Sequence, residues 1–363
     1  MIIFSYPSAI YDNSKLFCGK KWDGRMKNIK IVCDFREDFN NFSDSNVIFN
    51  DHPTRKSVEE ICNILNACGY SSEIYGGVNK LIEAYKQKED LTQSLILNMS
   101  DGLTQPYSRI QVPMLCEMLN ANYSGSPIFT VALMNNKHYS KLAVKELNIR
   151  IPNGILINNN LEEYNTVLNT NLSNFPLIVK PNTEGSSLGI SESSVCYNKK
   201  QLIDALNESK KYTEVIIEEY IPGYEITNLI IGNPCDYRFN EVILTSIYDK
   251  IVLSKEVLGL REKSQKLRKQ YPASKYIGDE LCSKIKETSL RIFEHMGARD
   301  IARIDYRVTV TGEIYFLEIN SVPRVSSTSE CAIICQEQNI LFKNILTEYV
   351  DTIITRISSH VKK

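Results

Sequence analysis

The sequence predicts an α/β chain, with an N-terminal parallel-sheet domain followed by two α+β domains. Three observations lead there. Strand-like apolar runs alternate with helical spacing over the first third, the signature of a largely parallel sheet. A short strand bracketed by prolines, Phe175 to Pro181, runs directly into a Gly/Ser loop. Late in the chain, Ile301–Val308 and Ile314–Asn320 flank Thr311-Gly312 as a hairpin. At 363 residues the chain exceeds one core, and roughly 100–200 residues per domain suggests two or three. Boundaries near 135 and 222 give domains 1–135, 136–222 and 223–363.

In order, Ile29 to Cys33 reads as a strand, and Ser57 to Cys68 as a helix through Val58, Ile61, Ile64 and Leu65, stopped at Gly69. Asn79 to Lys88 is helical, Ser94 to Met99 a buried strand ending at Ser100-Asp101-Gly102, and Val112 to Leu119 a helix before the turn at 124–127. A helix begins near Lys137. The proline-bracketed strand fits an edge or strand-start position better than a sheet centre. Lys199 to Lys211 is an amphipathic helix, and Val215 to Tyr220 a strand stopped by Pro222-Gly223. Strands follow at Ile226–Ile231 and Glu241–Tyr248. The basic run from Ser254 to Gln270 reads by default as a solvated surface helix. Helices at Asp279–Met296 and Ile340–Val361 complete the list.

Composition excludes several classes. Lys plus Arg (42) nearly balances Asp plus Glu (43), so no global field exists to hold a nucleic acid or an anionic membrane. No apolar run reaches the roughly 18 residues needed to span a bilayer, and the start lacks a basic region before an apolar stretch; the expected compartment is the cytoplasm. Ten scattered cysteines without a CxxC read as reduced, and four dispersed histidines offer no zinc spacing.

Three segments carry chemistry. In Lys180-Pro-Asn-Thr-Glu-Gly-Ser-Ser-Leu-Gly-Ile190, Gly185 and Gly189 let backbone amides approach a polyphosphate, Ser186 and Ser187 add hydroxyls, and Lys180 adds a point charge. Alone, such a loop is more often a plain connector. In the late hairpin, a side-chain period of two puts Arg303 with Asp305, and Glu318 with Asn320, on shared faces. Asp305, Glu318 and Asn320 are hard oxygen ligands suited to Mg²⁺ on phosphates, with an arginine beside them for an oxyanionic centre. The bland alternative is a solvated polar face. In Glu218-Glu-Tyr-Ile-Pro-Gly-Tyr-Glu225, a strand entering a Pro-Gly turn suits an adenine edge, with Glu218 accepting from the amino group and Glu225 from ribose; a solvated edge explains it as readily.

Together, in this order and spacing, the segments resemble the ATP-grasp superfamily, and within it the D-alanine–D-alanine ligase family. Weaker likeness continues in Asn98-Met-Ser-Asp-Gly102, Arg109-Ile-Gln-Val-Pro113, Tyr123-Ser-Gly-Ser126 and Asn136-Lys137, covering roughly 94–330. The resemblance implies an ATP-grasp fold whose two α+β domains sandwich ATP, and an ATP-dependent carboxylate–amine ligase working through an acyl phosphate. It implies that Lys137 and Lys180 contact phosphates, under a lid of Glu184, Gly185, Ser186, Ser187 and Gly189. Glu218, Glu219, Tyr220, Ile221, Glu225, Phe316 and Glu318 would hold the nucleotide. Asp305, Glu318 and Asn320 would bind two Mg²⁺, with Mn²⁺ as an alternative. Arg303 would stabilise the tetrahedral intermediate, and Ser186, Lys250 and Arg324 would assist. Tyr248 and Lys250 stand where the family has a mobile lid.

Substrate contacts are expected from Asp101, Arg109, Arg303, Ser329 and Glu330. The chain departs from the family in three places. Val32-Cys-Asp-Phe-Arg36 offers no substrate-binding glutamate, Ser321-Val-Pro-Arg324 replaces the family's Pro-Gly, and Glu330 stands where dipeptide ligases are apolar. A more polar or larger substrate than D-alanine is therefore expected. Expected partners are small amino acids, peptides or carboxylates, with a homodimer left open. Two alternatives keep part of this reading: ligation of a non-amino-acid nitrogen or small carboxylate, and a nucleotide-binding module without catalysis.

Overall fold

Three sheets divide the work of positioning the site. A computed structural model describes residues 26–39, 52–103, 106–158, 175–185, 188–247 and 268–360, and elements are numbered along these. The first sheet has the order β2-β1-β3-β4, all parallel, from β1 (Asn28–Val32), β2 (Ser72–Gly76), β3 (Ser94–Asn98) and β4 (Asn122–Tyr123). Between them run α1 (Arg55–Ala67), α2 (Val78–Gln87) and α3 (Gln111–Met118). All five residues of β3 are buried, as expected of a strand covered on both faces. α1 buries Val58, Ile61, Cys62 and Leu65, its 3.6-residue stripe, and Thr54 caps it by accepting from the Ser57 amide. Asp34, two residues beyond β1, accepts from the Val78 amide at 3.1 Å, so a carboxylate sits at the start of α2.

Two consecutive helices, α4 (Ile128–Asn135) and α5 (Lys137–Lys145), lead to the second sheet. α4 was not expected, because Ile-Phe-Thr-Val-Ala-Leu-Met carries no polar face to reveal a period. The second sheet is antiparallel in the order β5-β8-β6-β7, with β5 (Gly154–Asn158), β6 (Leu177–Pro181), β7 (Val195–Cys196) and β8 (Glu214–Glu219). α6 (Lys199–Glu208) packs Leu202, Ala205 and Leu206 on it. Of the edge or strand-start position expected for Phe175–Pro181, the edge is corrected here, since β6 lies between β8 and β7, whereas Pro176 does stand at the strand's start. The prolines are tolerated because Pro176 precedes the strand and β7 pairs only with Leu177 and Ile178, leaving Pro181 no ladder bond to lose on that side.

The third sheet, β11-β10-β9-β12-β13, is antiparallel and comprises β9 (Tyr224–Asn233), β10 (Asp236–Ile247), β11 (Arg268–Pro272), β12 (Asp300–Val308) and β13 (Ile314–Asn320). Its helices are α7 (Ser274–Ile277), α8 (Asp279–His295), α9 (Glu330–Gln338) and α10 (Phe342–His360). One face packs on α8 through Ile230, Ile304, Tyr306, Ile285 and Phe293. The other meets α1 and α10 in a core that runs into the first sheet through Ile231, Ile301, Ile61, Leu97 and Ile353. Of the basic run read as a surface helix, Arg268 to Gln270 belong to β11, whose partner is β10; the rest lies outside the described residues.

The first and third sheets are joined by a buried clasp. Asp300, fully buried, accepts two bonds from Arg356 of α10 at 2.7 Å, one from the Gly125 amide at 2.9 Å and one from Asn233 at 3.0 Å. Arg356 also donates to the Tyr123 carbonyl at 2.8 Å. Removing one member leaves a buried charge without its partner, so Arg356→Ala should lower stability by about 3–5 kcal/mol, read as a shift in urea unfolding. A loss below about 1 kcal/mol, the worth of an exposed pair, would show that the clasp does not join the sheets.

Candidate active site

Helical spacing delivers the first cations. Asn136 caps α5 by accepting from the Tyr139 amide at 2.9 Å, and Lys137 and Lys141, four residues apart, share one face. Lys137 Nζ lies 3.3 Å from Glu318 Oε2 of β13 and also donates to the Glu184 carbonyl. Asn182, directly after β6, accepts from the His138 amide at 2.9 Å, which docks the start of the Gly/Ser loop on α5. Gly189 closes that loop at φ +75°, where an added Cβ would stand 2.6 Å from Pro181 and Tyr212, so only glycine fits.

Glu218 carries a second charge relation beyond the role expected of it. It is 2% exposed, and its two oxygens are gripped by Lys141 at 2.5 Å and Lys180 at 2.6 Å. The carboxylate spaces two buried lysines and lines the same pocket as Glu219, Tyr220 and Ile221. Burial resists its ionisation, yet Lys141 and Lys180 hold its pKa below the usual range. Burial pushes Lys141 down to about 8 in spite of Glu218, with Lys180 adding repulsion. For Lys180 the balance reverses, Glu218 outweighing burial and raising it.

The turn after β8 is anchored from two sides. Glu219 accepts from the Asn153 amide at 3.1 Å and its side chain at 3.0 Å. Arg307 of β12, buried, reaches Glu225 at 3.2 Å, donates to the Gly223 carbonyl at 3.0 Å and stands 5.7 Å from the Tyr220 ring. Lys137, Lys180, Glu184, Glu219, Tyr220, Ile221, Glu225, Asp305 and Glu318 line one pocket of about 110 Å³. Phe316 is corrected: it is fully buried against Tyr306 in the core. A bulge in β13 explains this. Asp305 pairs with Glu318 but Tyr306 with Phe316, so Leu317 is the extra residue and lines the pocket instead. Ser186, Ser187, Tyr248 and Lys250 lie outside the described residues.

On the hairpin, Arg303 pairs with Asn320 and Asp305 with Glu318 in register, bringing all four together. Arg303 donates to both Asp305 oxygens, closest at 2.9 Å, and Thr227 adds a bond to Asp305 at 2.8 Å. Burial opposes ionisation of Glu318, but Lys137, Lys180 and Arg303 prevail and hold its pKa at about 2. Two carboxylates and an amide oxygen on facing strands fit a hard divalent cation, with phosphate oxygens to complete its shell. Glu184, whose buried Oε2 has no partner among the described residues, is pushed up by burial against the pull of Lys137 and Arg109.

A second cavity, about 690 Å³, opens on the Arg303 side of the hairpin and gathers Asp101, Arg109, Arg303, Asn320, Arg324, Ser329 and Glu330. Arg109 binds Asp101 at 2.8 Å and donates to Asn320 at 3.4 Å. It also passes close to Gly185, where a Cβ would fall 2.9 Å from its Nη2. Ser329 caps α9 and donates to the Ser326 carbonyl at 2.9 Å. Arg324 is exposed on the rim. Sequence reasoning missed Lys141, Arg307 and Gln270; the i, i+4 relation to Lys137 was the available signal for the first. The described cysteines are all free, and no described helix is long and apolar enough to cross a membrane.

Lys180 of one antiparallel sheet, with Lys137 of the helix leading to it, facing carboxylates of another sheet is the ATP-grasp architecture, and solved structures share the fold. The D-Ala:D-Ser ligase VanG from Enterococcus faecalis aligns with a TM-score of 0.67 at 18% identity, over 90% of this chain and 99% of that one. The D-alanine–D-alanine ligase of Bacillus anthracis complexed with ATP aligns with a TM-score of 0.64 at 21% identity, over 92% and 99%. Sequence narrows the class. The profile described as D-ala D-ala ligase C-terminus matches residues 144–351. The D-alanine–D-alanine ligase of Fervidobacterium nodosum is 30% identical over 292 residues, 74% of this chain and 84% of the relative. That of Aquifex aeolicus is 31% identical over 233 residues, 64% and 74%. The chain belongs to the D-alanine–D-alanine ligase family of ATP-dependent ligases that form C–N bonds.

Glu218 and Glu318, with depressed pKa values, contribute stability that is fully present above their ordinary value of 4.5 and is lost as pH falls through the lowered values, about 2 in the case of Glu318. Urea midpoints should therefore drop across that window. Glu218→Gln should cost about 3–5 kcal/mol at pH 7, by leaving two buried lysines without their carboxylate, and should flatten the slope. An unchanged slope would remove Glu218 from the assignment.

Proposed function

We propose that the chain is an ATP-dependent carboxylate–amine ligase that joins two small substrates in the cytoplasm through an acyl phosphate. The acceptor is more polar than D-alanine. One observation carries this reading: the 3.3 Å approach of Lys137 to Glu318, which sets a cationic wall against an anionic one. In domain terms, 1–135 contributes the donor side, 136–222 the lysines, and 223–363 the hairpin and acceptor wall.

Each group has a role. Lys137 and Lys180 grip ATP phosphates beneath the loop closed by Gly185 and Gly189, while Glu219, Tyr220, Ile221 and Glu225 frame adenosine. When Mg²⁺ is bound, Asp305, Glu318 and Asn320 would hold it, and it supplies charge neutralisation at the phosphates. A substrate carboxylate oxygen attacks the γ-phosphorus and ADP leaves. The acceptor nitrogen then attacks the acyl carbon, phosphate departs, and the nitrogen loses a proton, giving amide, ADP and phosphate. Arg303, oriented by Asp305 and opening onto the larger cavity, neutralises the oxyanion at that carbon. Arg324 offers its backbone amide there, and Asp101 with Arg109 hold substrate from the opposite wall.

The support for a polar acceptor is the cavity itself, which gathers three arginines and two carboxylates in its wall. Purified protein given ATP and amino-acid pools should release ADP only when two substrates are present. ATP binding without release under any pool would favour a nucleotide-binding module. Glu318→Gln should lower turnover by about 10²–10³ or more and, by leaving Lys137 without its carboxylate, should also lower the urea midpoint at pH 7 while the protein stays folded. Wild-type turnover by this variant would end the metal assignment.

A further inference from the structure

Asn320 stands between two arginines. Arg303 faces it across the hairpin, and Arg109 donates to its Oδ1 at 3.4 Å, an oxygen that the Val322 amide also holds at 3.0 Å. Arg109 lies on the turn 108–110 that leads into α3. That turn is fastened on two sides: Tyr107 accepts from the side chain of Asn136, the cap of α5, at 2.7 Å, and Ser108 donates to the Asp101 carbonyl at 2.5 Å. Asp101 takes the Nε edge of the guanidinium at 2.8 Å and orients it, as Asp305 orients Arg303. Of the two terminal nitrogens, Nη1 reaches Asn320, and Nη2 is the atom that a Cβ added to Gly185 would meet at 2.9 Å. Lys137 donates to the carbonyl just before Gly185, so the start of the Gly/Ser loop lies between two cations.

We infer that Arg109 is a further catalytic residue, the cation that receives the phosphoryl group as it passes from ATP to the donor carboxylate. This rests on the ligase reading given above and narrows the part Arg109 plays in it. The transferred group moves from the smaller pocket, lined by Glu184, to the larger cavity, lined by Arg109, and these two residues come together at Gly185. In that step a donor carboxylate oxygen bonds to the γ-phosphorus, the bond from phosphorus to the bridging oxygen breaks, and ADP keeps the electron pair. No proton moves, so the phosphoryl oxygens remain anionic throughout. A planar guanidinium offers them paired N–H donors, and a fixed cation at that point stabilises the charge of the transferring group. The arginines on either side of Asn320 then divide the reaction, Arg109 serving formation of the acyl phosphate and Arg303 its consumption.

The test isolates the first step with hydroxylamine, whose nitrogen attacks the acyl carbon, expels phosphate and loses a proton to give a hydroxamate. The full chain receives Mg-ATP, hydroxylamine and a mixture of the common amino acids, in both enantiomers, as donors, with hydroxamate and ADP as readouts. Calorimetry gives the ATP Kd of each variant. Arg109→Ala should lower kcat for hydroxamate formation by about 10²-fold or more, with the ATP Kd within about 3-fold of wild type. Arg109→Lys, which keeps the charge and loses the fork, should fall between them, about 10-fold below wild type. Hydroxamate formation by Arg109→Ala at the wild-type rate, or a loss that appears only as weaker ATP binding with kcat intact, overturns this assignment and leaves the ligase in place. If Arg109→Ala fails to fold, Arg109→Lys decides alone, and a wild-type kcat in that variant ends the assignment. A wild-type chain that forms no hydroxamate with any donor removes the ligase reading, and this one with it.

Discussion

Everything in the site depends on the meeting of Lys137 with Glu318, a cation from a helix beside the second sheet and an anion from the edge strand of the third. Neither charge is affordable alone at that depth. Lys137 is 6% exposed, and Glu318 is ringed by Lys137, Lys180 and Arg303, which keep it ionised against burial. The same logic repeats one layer behind, where Glu218 separates Lys141 from Lys180. The outcome is a row of cations with fixed spacing, built before any polyphosphate arrives, so its binding need not order them.

Register does the equivalent work on the anionic side. β12 and β13 place Arg303 opposite Asn320 and Asp305 opposite Glu318, and the bulge at Leu317 then switches which residues face the pocket. Without that extra residue, the pairing that holds Asp305 against Glu318 would continue with Leu317 opposite Tyr306. Arg303 lines the larger cavity and is held from behind by Asp305, which lines the smaller one.

Much of this was legible in the sequence. The alternation in the first third, the hairpin and the Gly/Ser loop follow from local periodicity and turn chemistry, and period two alone put Arg303 with Asp305. Other features depended on what lies across a sheet. Glu218 reads as a solvent-edge carboxylate until Lys141 and Lys180 are seen on either side of it, and no local pattern reports that. Phe316 was misread because one bulged residue reverses the inside and outside of a strand. β6 was misplaced because proline statistics describe full ladders, and its neighbour β7 is only two residues long. α4 was missed because an apolar helix buried between elements shows no amphipathic period.

The Asp300 clasp has a bearing on how readily this cavity can be reshaped. Ser124, Gly125, Ser126 and Tyr349 form part of the acceptor wall, and the same short segment is fastened from below through the Gly125 amide, with Ser126 accepting from the Arg299 amide at 3.1 Å. Enlarging the pocket on that side therefore loosens the joint between the first and third sheets. Across the cavity, Ser329 and Glu330 of the α9 wall bond to Ser326, Gln270 and Arg303 and make none of the clasp's bonds, so a change there acts on α9 and on the Arg303 guanidinium rather than on the Asp300 joint.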